Sequence, residues 1–272
     1  MRSAWRICHL DTTISQNHIY RCGGRGGIWL DWMTQGTRVS GNLFHDNYIQ
    51  DLHVEVNHGP FLIDNNIFLS EKVLWECSQG GAYVHNLIAG DIVPRGEIRE
   101  TPYFKPHTVE DMKVINITHG DERYYNNLFV RRGLSIYDEP DKWDRAHLSK
   151  ALDLQAAGNV YLSGAKPSSY DRNAWVVAHF DPEIKLQESS DGWWLEMAVD
   201  PSWASKEKRV VVTTKELGRA KGPDALFEQP DGTPYRLDTD YFGKKRNPEN
   251  PAPGPFKSQA GKEIRLKVWP KK

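Results

Sequence analysis

The chain has 272 residues, 39% hydrophobic and 26% charged, which is typical of a globular protein with a sizeable core. Its net charge of −1, without blocks of like charge, argues against nucleic acid or a membrane as a partner. It has no apolar run long enough to span a bilayer and no signal-peptide core, which predicts a cytoplasmic chain as given and leaves a secreted parent open. Three cysteines without CxxC spacing indicate no zinc site, and no cofactor is predicted.

A short motif, an asparagine followed by two apolar residues, recurs along the first 160 residues. It occurs at Asn17, Asn42, Asn66, Asn86, Asn127 and Asn159, with most spacings fitting one or two units of 20 to 25 residues. Such a period is typical of repeat folds, and the units are rich in Val, Ile, Phe and Tyr, with Gly and Asn at the turns. The pattern predicts an all-β parallel β-helix in which the asparagines stack as a ladder at one corner.

Two carboxylates share the spacing of the asparagine ladder. Asp31 in "GIWLDW" and Glu55 in "DLHVEV" are 24 residues apart, as are Asn42 and Asn66. One full unit of separation places them side by side on neighbouring parallel strands, about 4.8 Å apart. Alternation along the strands then turns their apolar sequence neighbours inward and both acids outward.

A stacked pair of acids on an outer face has a catalytic interpretation. Retaining glycosidases use two carboxyl groups about 5–5.5 Å apart, whereas inverting enzymes keep theirs at about 6.5–9.5 Å, so stacking predicts retention. The alternative is a polar ladder bridged by a cation or by His53. Glu76, 21 residues beyond Glu55, could extend that ladder to a third acid.

Five further residues are candidates for substrate binding. Trp29, His53 and Asn57 share the predicted outer face with the two acids, and Trp29 could stack on a sugar ring, whereas Trp32 is expected in the core. His58 could bind a hydroxyl group or simply serve as a polar corner before Gly59-Pro60. His107 lies in a proline-flanked loop, a common place for binding residues. A metal site is not expected, because His53 and His58 fall on opposite sides of a strand.

The sequence changes character beyond Asn159. Alternating segments such as "AWVVAHF", "WWLEMAV", "RVVVTT" and "IRLKVW" predict a small β-sandwich, which gives a core domain of residues 1–170 and a flanking domain of residues 171–272. The Pro-rich stretch at 228–256 is expected to lie across the core as an ordered arm. Residues 141–154 are expected to form a short helix or loop.

The segments "GIWLDWMTQGTRVSGNL", "DLHVEVNHGPFLIDNNIFLS", "SQGGAYVHNLIAG", "TPYFKPHT" and "DTDYFGKKR" resemble the β-xylosidases of glycoside hydrolase family 120. The resemblance runs over nearly the whole chain and implies a right-handed parallel β-helix core with a flanking β-sandwich. It also implies release of xylose from xylo-oligosaccharides with retention, with Asp31 as nucleophile and Glu55 as acid/base. His107 resembles a substrate-contact segment of the family.

Family members are roughly twice as long, and this chain resembles their C-terminal portion. One alternative is therefore a shortened, non-catalytic module that binds a glycan or a partner chain, with homo-oligomers left open. A polysaccharide lyase is a weaker alternative, because lyases of similar fold use calcium-binding acid clusters with a basic residue, and no such cluster surrounds Asp31.

Overall fold

The computed structural model describes residues 11–97, 99–139, 154–257 and 262–271 of the chain. Most of its strands are short and parallel, and they belong to three sheets. The six-stranded sheet contains, in order, β1 (Thr13–Ser15), β4 (Arg38–Ser40), β7 (Phe61–Asp64), β10 (Gly81–Val84), β15 (Arg123–Tyr125) and β17 (Gln155–Ala157). The seven-stranded sheet contains β2 (His18–Tyr20), β5 (Leu43–His45), β8 (Ile67–Phe68), β11 (Leu87–Ile88), β16 (Leu128–Val130), β18 (Val160–Leu162) and β19 (Trp175–Val177). The four-stranded sheet contains β3 (Ile28–Leu30), β6 (Leu52–Glu55), β9 (Lys72–Cys77) and β12 (Asp91–Pro94).

The repeated asparagines form a hydrogen-bonded ladder between the six- and seven-stranded sheets. Asn42 donates from its backbone and side-chain nitrogens to Asn66 Oδ1 at 2.9 and 3.0 Å, and Asn66 donates to Asn86 Oδ1 in the same way. The side chain of Asn66 also donates to the Val39 carbonyl at 2.9 Å. The residue before each asparagine has a positive φ, which turns the chain from one sheet into the next. The predicted corner ladder is confirmed.

A single apolar core lies between the three parallel sheets. It draws on Val39, Ile63 and Tyr83 of the six-stranded sheet, on Phe44, Phe68 and Phe129 of the seven-stranded sheet, and on Leu30, Leu52 and Val54 of the four-stranded sheet. These side chains are at most 3% exposed. The β-branched and aromatic residues of the repeats therefore supply the inner faces, where they pack well on a pleated surface.

The remaining elements are short, and most lie in the second half of the chain. An antiparallel hairpin joins β13 (Glu100–Phe104) to β14 (Asp111–Asn116), and a three-stranded antiparallel sheet has the order β20 (Lys185–Ser189), β21 (Gly192–Ala198), β24 (Glu263–Trp269). A two-stranded ribbon is formed by β22 (Arg219–Ala220) and β23 (Ala225–Leu226). The helical segments are the 3₁₀ turns Leu134–Asp138 and Pro201–Ala204 and the single-turn α1 (Thr214–Leu217). Among the described residues, no helix is long and apolar enough to span a membrane.

The C-terminal segments cover two of the three parallel sheets. Leu195, Met197 and Val268 of the antiparallel sheet pack on the outer side of the seven-stranded sheet, together with Leu43 and Ile67. Residues 212–237 pack on the six-stranded sheet in a cluster with Leu62, Ala82 and Val84. Neither cluster contains a residue of the four-stranded sheet. Within the part of the chain that the structure describes, that sheet keeps an accessible outer face.

The predicted fold class, a right-handed parallel β-helix followed by a β-sandwich, is wrong. The parallel strands form three sheets of unequal size, and the hairpin β13–β14 and a 3₁₀ turn interrupt their succession. The C-terminal region supplies one antiparallel sheet instead of two packed sheets, because its other apolar segments pack elsewhere. Trp175–Val177 joins the seven-stranded sheet, and Val211 and Val212 are buried without forming a strand.

The division at residues 170 and 171 stays a prediction, and most of residues 141–154 lies outside the described residues. The Pro-rich arm does lie across the core, as expected. Its Arg246 is buried and donates to Asn65 Oδ1 at 2.6 Å, and Gly254 N donates to the Asn126 carbonyl at 2.8 Å.

Candidate active site

Asp31 and Glu55 lie at the same level of the four-stranded sheet. Its parallel register pairs Trp29 with His53 and Leu30 with Val54, and each acid is the next residue along its chain. Leu30 and Val54 are buried, whereas both acids are partly accessible. The 24-residue register predicted from the sequence is thus confirmed for β3 against β6.

Glu55 is held by side chains on both sides of its carboxylate. Trp29 Nε1 donates to Oε2 at 2.9 Å, and Arg99 Nη1 lies 3.7 Å from Oε1. His53 Nε2 is 4.0 Å from Oε2. A hydrogen bond and an adjacent guanidinium group fix the orientation of the carboxylate while 19% of its surface stays exposed.

Asp31 lies where β3 ends and the chain turns. Its Oδ1 accepts from Trp32 N at 2.8 Å, and its carbonyl oxygen accepts from Thr34 Oγ1 at 2.7 Å. Met33 in this turn has a φ of 67°. Asn57 Nδ2 donates to Thr34 Oγ1 at 2.6 Å, so the buried Asn57 supports the Asp31 turn through Thr34.

An aromatic row runs across the outer face beside the two acids. Trp29, His53 and Trp75 are paired in register on β3, β6 and β9, and the His53 ring lies 5.9 Å from Trp29 and 5.7 Å from Trp75. Trp29 is 42% exposed, whereas His53 is buried between the indoles. Burial first, and then the charges of Arg25 and Arg95, lower the pKa of His53 to about 4.

The expectation that Trp32 belongs to the core is wrong. Its side chain is 42% exposed, because β3 ends at Leu30 and the strand alternation does not continue into the turn. The guanidinium group of Arg99 lies 6.0 Å from the centre of the Trp32 ring. Trp32 therefore adds an aromatic surface to the same face of the molecule.

His58 is 1% exposed and is fully engaged by neighbouring residues. Its Nδ1 accepts from Gln79 Nε2 at 3.0 Å, and its Nε2 lies 3.0 Å from the Thr101 carbonyl and 2.8 Å from Thr101 Oγ1. Burial lowers the pKa of His58 to about 4. In this arrangement it anchors β13 to the end of β6.

His107 lies in the turn of the hairpin, at the opposite end of β13 from Arg99. Its Nδ1 is 3.1 Å from Asp11 Oδ2 and its Nε2 is 3.4 Å from Glu228 Oε2. Partial burial opposes protonation, but Asp11 and then Glu228 raise the pKa of His107 above its ordinary value. The structure places it beside the C-terminal arm and not beside Glu55.

Trp75, Arg95 and Arg99 belong to this face, and sequence reasoning missed them. Trp75 follows His53 by 22 residues, a shorter interval than the 24 between Asp31 and Glu55, so a fixed period does not find it. The same shortening places Cys77 opposite Glu55 and turns Glu76 inward opposite Val54. Arg99 precedes the hairpin, which interrupts the repeats and has no counterpart in other units.

One group of buried residues could in principle hold a metal ion among the described residues. Ligand atoms of Glu76, His119 and Glu122 lie within 4.8 Å of one another in the core. His119 Nδ1 accepts from Gly120 N at 2.7 Å, which leaves the ring proton on Nε2, 3.2 Å from Glu76 Oε2. A protonated Nε2 cannot bind a metal, so this histidine is a donor toward Glu76.

No known protein family and no curated protein matches the chain. A solved structure, the complex of XylC with xylose, matches with a TM-score of 0.85 and 34% sequence identity. The match covers 96% of this chain and 44% of the XylC chain. The chain thus shares its fold with a part of XylC and spans less than half of that protein.

Proposed function

We propose that this chain is a glycoside hydrolase that releases xylose from xylo-oligosaccharides with retention of configuration. The observation that carries the proposal is the placement of Asp31 and Glu55, each one residue beyond a cross-strand pair, on the one parallel sheet whose outer face the described C-terminal segments leave accessible. Neighbouring strands are separated by about 4.8 Å, close to the carboxyl separation of retaining glycosidases. The similarity to XylC, whose structure holds xylose, supports this sugar.

In the first step, a carboxylate oxygen of Asp31 attacks the anomeric carbon of the terminal sugar. The bond between that carbon and the glycosidic oxygen breaks, and the oxygen takes a proton from Glu55. The products are a glycosyl ester on Asp31 and a shortened oligosaccharide. The Asp31 turn, held through Thr34 and Asn57, keeps the attacking oxygen in place.

In the second step, the ionised Glu55 accepts a proton from water. The water oxygen attacks the anomeric carbon from the side that the leaving sugar vacated, and the ester bond to Asp31 breaks. Xylose is released with its original configuration, Asp31 is again a carboxylate and Glu55 again carries a proton. Trp29 Nε1 and Arg99 hold the Glu55 carboxylate through both roles.

The substrate-binding surface of this proposal consists of Trp29, with His53 and Trp75 beside it. An exposed indole offers a flat apolar face to a sugar ring. Asn57 acts through Thr34 and not by direct contact. His58 is buried and His107 lies at the far end of the hairpin, so their predicted substrate contacts would require a rearrangement of the chain.

The experiment measures hydrolysis of p-nitrophenyl β-xyloside by the 272-residue chain and by its Asp31→Asn and Glu55→Gln variants. Each variant is expected to lose about a thousandfold in kcat/KM, a typical effect of removing a nucleophile or acid. A 2-fluoro-xyloside should label Asp31, as seen by peptide mass spectrometry. An active Asp31→Asn variant, or a label on another residue, would refute the assignment of the nucleophile.

The same samples test the two other classes of function. An unsaturated product that depends on calcium would indicate a lyase. A wild-type chain that binds xylo-oligosaccharide without cleaving it would indicate a binding module. Either result would overturn the proposed hydrolysis.

A further inference from the structure

We propose that the outer face of the four-stranded sheet selects sugars that carry a carboxylate, with Trp75 as the stacking surface and Arg95 as the partner of the anion. The inference rests on the proposed function, because it names the substrate class of the same face. It concerns a subsite next to Glu55, on the side of the sheet away from Asp31.

The strand register places Arg95 in the row of the two acids. Pro94 pairs with Glu76, and Arg95 N donates to the Glu76 carbonyl at 2.8 Å, so Arg95 continues the register opposite Cys77. Cys77 in turn pairs with Glu55. Arg95 therefore lies two strands from Glu55, about 10 Å away at the usual strand spacing. The next sugar residue of an oligosaccharide bound at Glu55 would lie over this part of the sheet.

Trp75 and Arg95 form one unit on this side of the sheet. The guanidinium group of Arg95 lies 5.0 Å from the centre of the Trp75 ring, and both residues are half-buried. Partial burial and stacking on the indole limit the positions that the guanidinium group can take. A ligand that binds there would meet a positive charge whose position is already defined.

The positive charge extends across the aromatic row. Arg25 lies 5.1 Å from the centre of the Trp29 ring, at the opposite edge of the sheet, and its charge reaches His53 together with that of Arg95. Because His53 is neutral at pH 7, the charges on this row belong to the arginines. Arg99 contacts Glu55 and contributes to holding the acid.

This combination fits a sugar with an acidic group better than a neutral one. The planar guanidinium group binds a carboxylate with two parallel hydrogen bonds and has five donors, so it can serve more than one acceptor. A neutral sugar needs only the aromatic surface and hydroxyl partners. The expected ligand is a xylo-oligosaccharide with a uronic acid branch on the residue next to the cleaved bond.

The test compares the binding of xylotriose and of xylotriose with a glucuronic acid branch, by titration calorimetry. The chain carries Asp31→Asn, which prevents turnover and leaves the contact between Arg99 and Glu55 intact. We expect the acidic ligand to bind about tenfold more tightly at low salt, and this preference to shrink as the salt concentration rises. Arg95→Gln should remove the preference without changing the affinity for xylotriose.

Arg25→Gln is the matched control, because Arg25 lies over an indole at almost the same distance but at the other edge of the sheet. It should keep at least most of the preference for the acidic ligand. Equal affinity for the two ligands, or a preference that survives Arg95→Gln, would overturn the inference alone. If neither ligand binds and the unsubstituted chain does not cleave xylotriose, the proposed function fails as well.

Discussion

The asparagine ladder and the accessible face of the four-stranded sheet use the same repeat in opposite ways. Along the ladder, each unit contributes the same residue to the same pair of hydrogen bonds, and the members from Asn42 to Asn159 are fully buried. Across the accessible face, neighbouring units contribute different residues at equivalent positions, such as Trp29, His53 and Trp75. Repetition of one residue marks support of the fold, whereas variation at a fixed position marks chemistry.

The sharpest test of the ladder is Asn66→Ala. Asn66 accepts two hydrogen bonds from Asn42 and donates to Val39 and Asn86, all in the core. Its loss leaves buried groups without partners and should lower the free energy of unfolding by about 2–4 kcal/mol. Asn17→Ala, at the exposed end of the ladder, should cost less than about 1 kcal/mol in the same urea titration. Equal losses would show that burial does not set the strength of the ladder.

The second prediction concerns the buried acids behind the accessible face. Burial raises the pKa of the Glu122 carboxyl well above its ordinary range, with a contribution from Glu76, and neither Glu122 oxygen has a hydrogen-bond partner among the described residues. The folded chain keeps a proton here that the unfolded chain releases above about pH 4.3, so stability falls as the pH rises through this range.

Glu122→Gln removes that pH dependence. It should raise the free energy of unfolding by about 1–3 kcal/mol at pH 8 and leave it almost unchanged at pH 4. Urea titrations at the two pH values measure the difference. Glu188→Gln on the exposed strand β20 is the control, with an expected change below about 0.5 kcal/mol at either pH. A loss of stability at pH 8 would show that Glu122 is charged in the folded chain.

Trp29→Phe separates the stacking role of this residue from its hydrogen bond. Phenylalanine keeps an aromatic surface and removes the indole N–H that Glu55 accepts. The proposed reaction should slow by about tenfold, the value of one hydrogen bond to a charged group, and stability should barely change because Trp29 is 42% exposed. Rates of nitrophenyl xyloside hydrolysis and a thermal melt give the two values. A rate equal to that of the wild type would remove Trp29 from the control of Glu55.

The smallest effect on stability is expected for Trp32→Ala. A core tryptophan would cost about 3–5 kcal/mol when truncated to alanine, whereas an exposed one should cost about 0.5 kcal/mol. The measurement distinguishes the observed position of Trp32 from the core position that strand alternation predicted. A loss near the larger value would place Trp32 back in the core.

The sequence predicted the features that depend on an unchanged spacing. The ladder and the pairing of β3 with β6 follow from the 24-residue interval, and both are present. The prediction failed where the interval changed or a strand ended. Glu76 turns inward because the next interval is shorter, and Trp32 is exposed because Met33 adopts a positive φ in a turn.

The flanking region shows a different limit of sequence reasoning. Alternation identifies β21 and β24 as strands, but it does not say which surface their apolar side covers. Val211 and Val212 have the composition of a strand and are buried as an extended segment outside any sheet. The arginines of the accessible face were missed because they lie outside the repeated positions.

The C-terminal arm has a consequence for the order of folding. Arg246 bonds to Asn65, 181 residues earlier in the chain, and Lys271 bonds to the carbonyl of Gly41, 230 residues earlier. A ribosome releases the early strands long before the segments that cover their outer sides, so two apolar sheet faces stay uncovered until synthesis is nearly complete. Nascent chains without the last thirty residues should therefore bind chaperones and aggregate more readily than the finished protein.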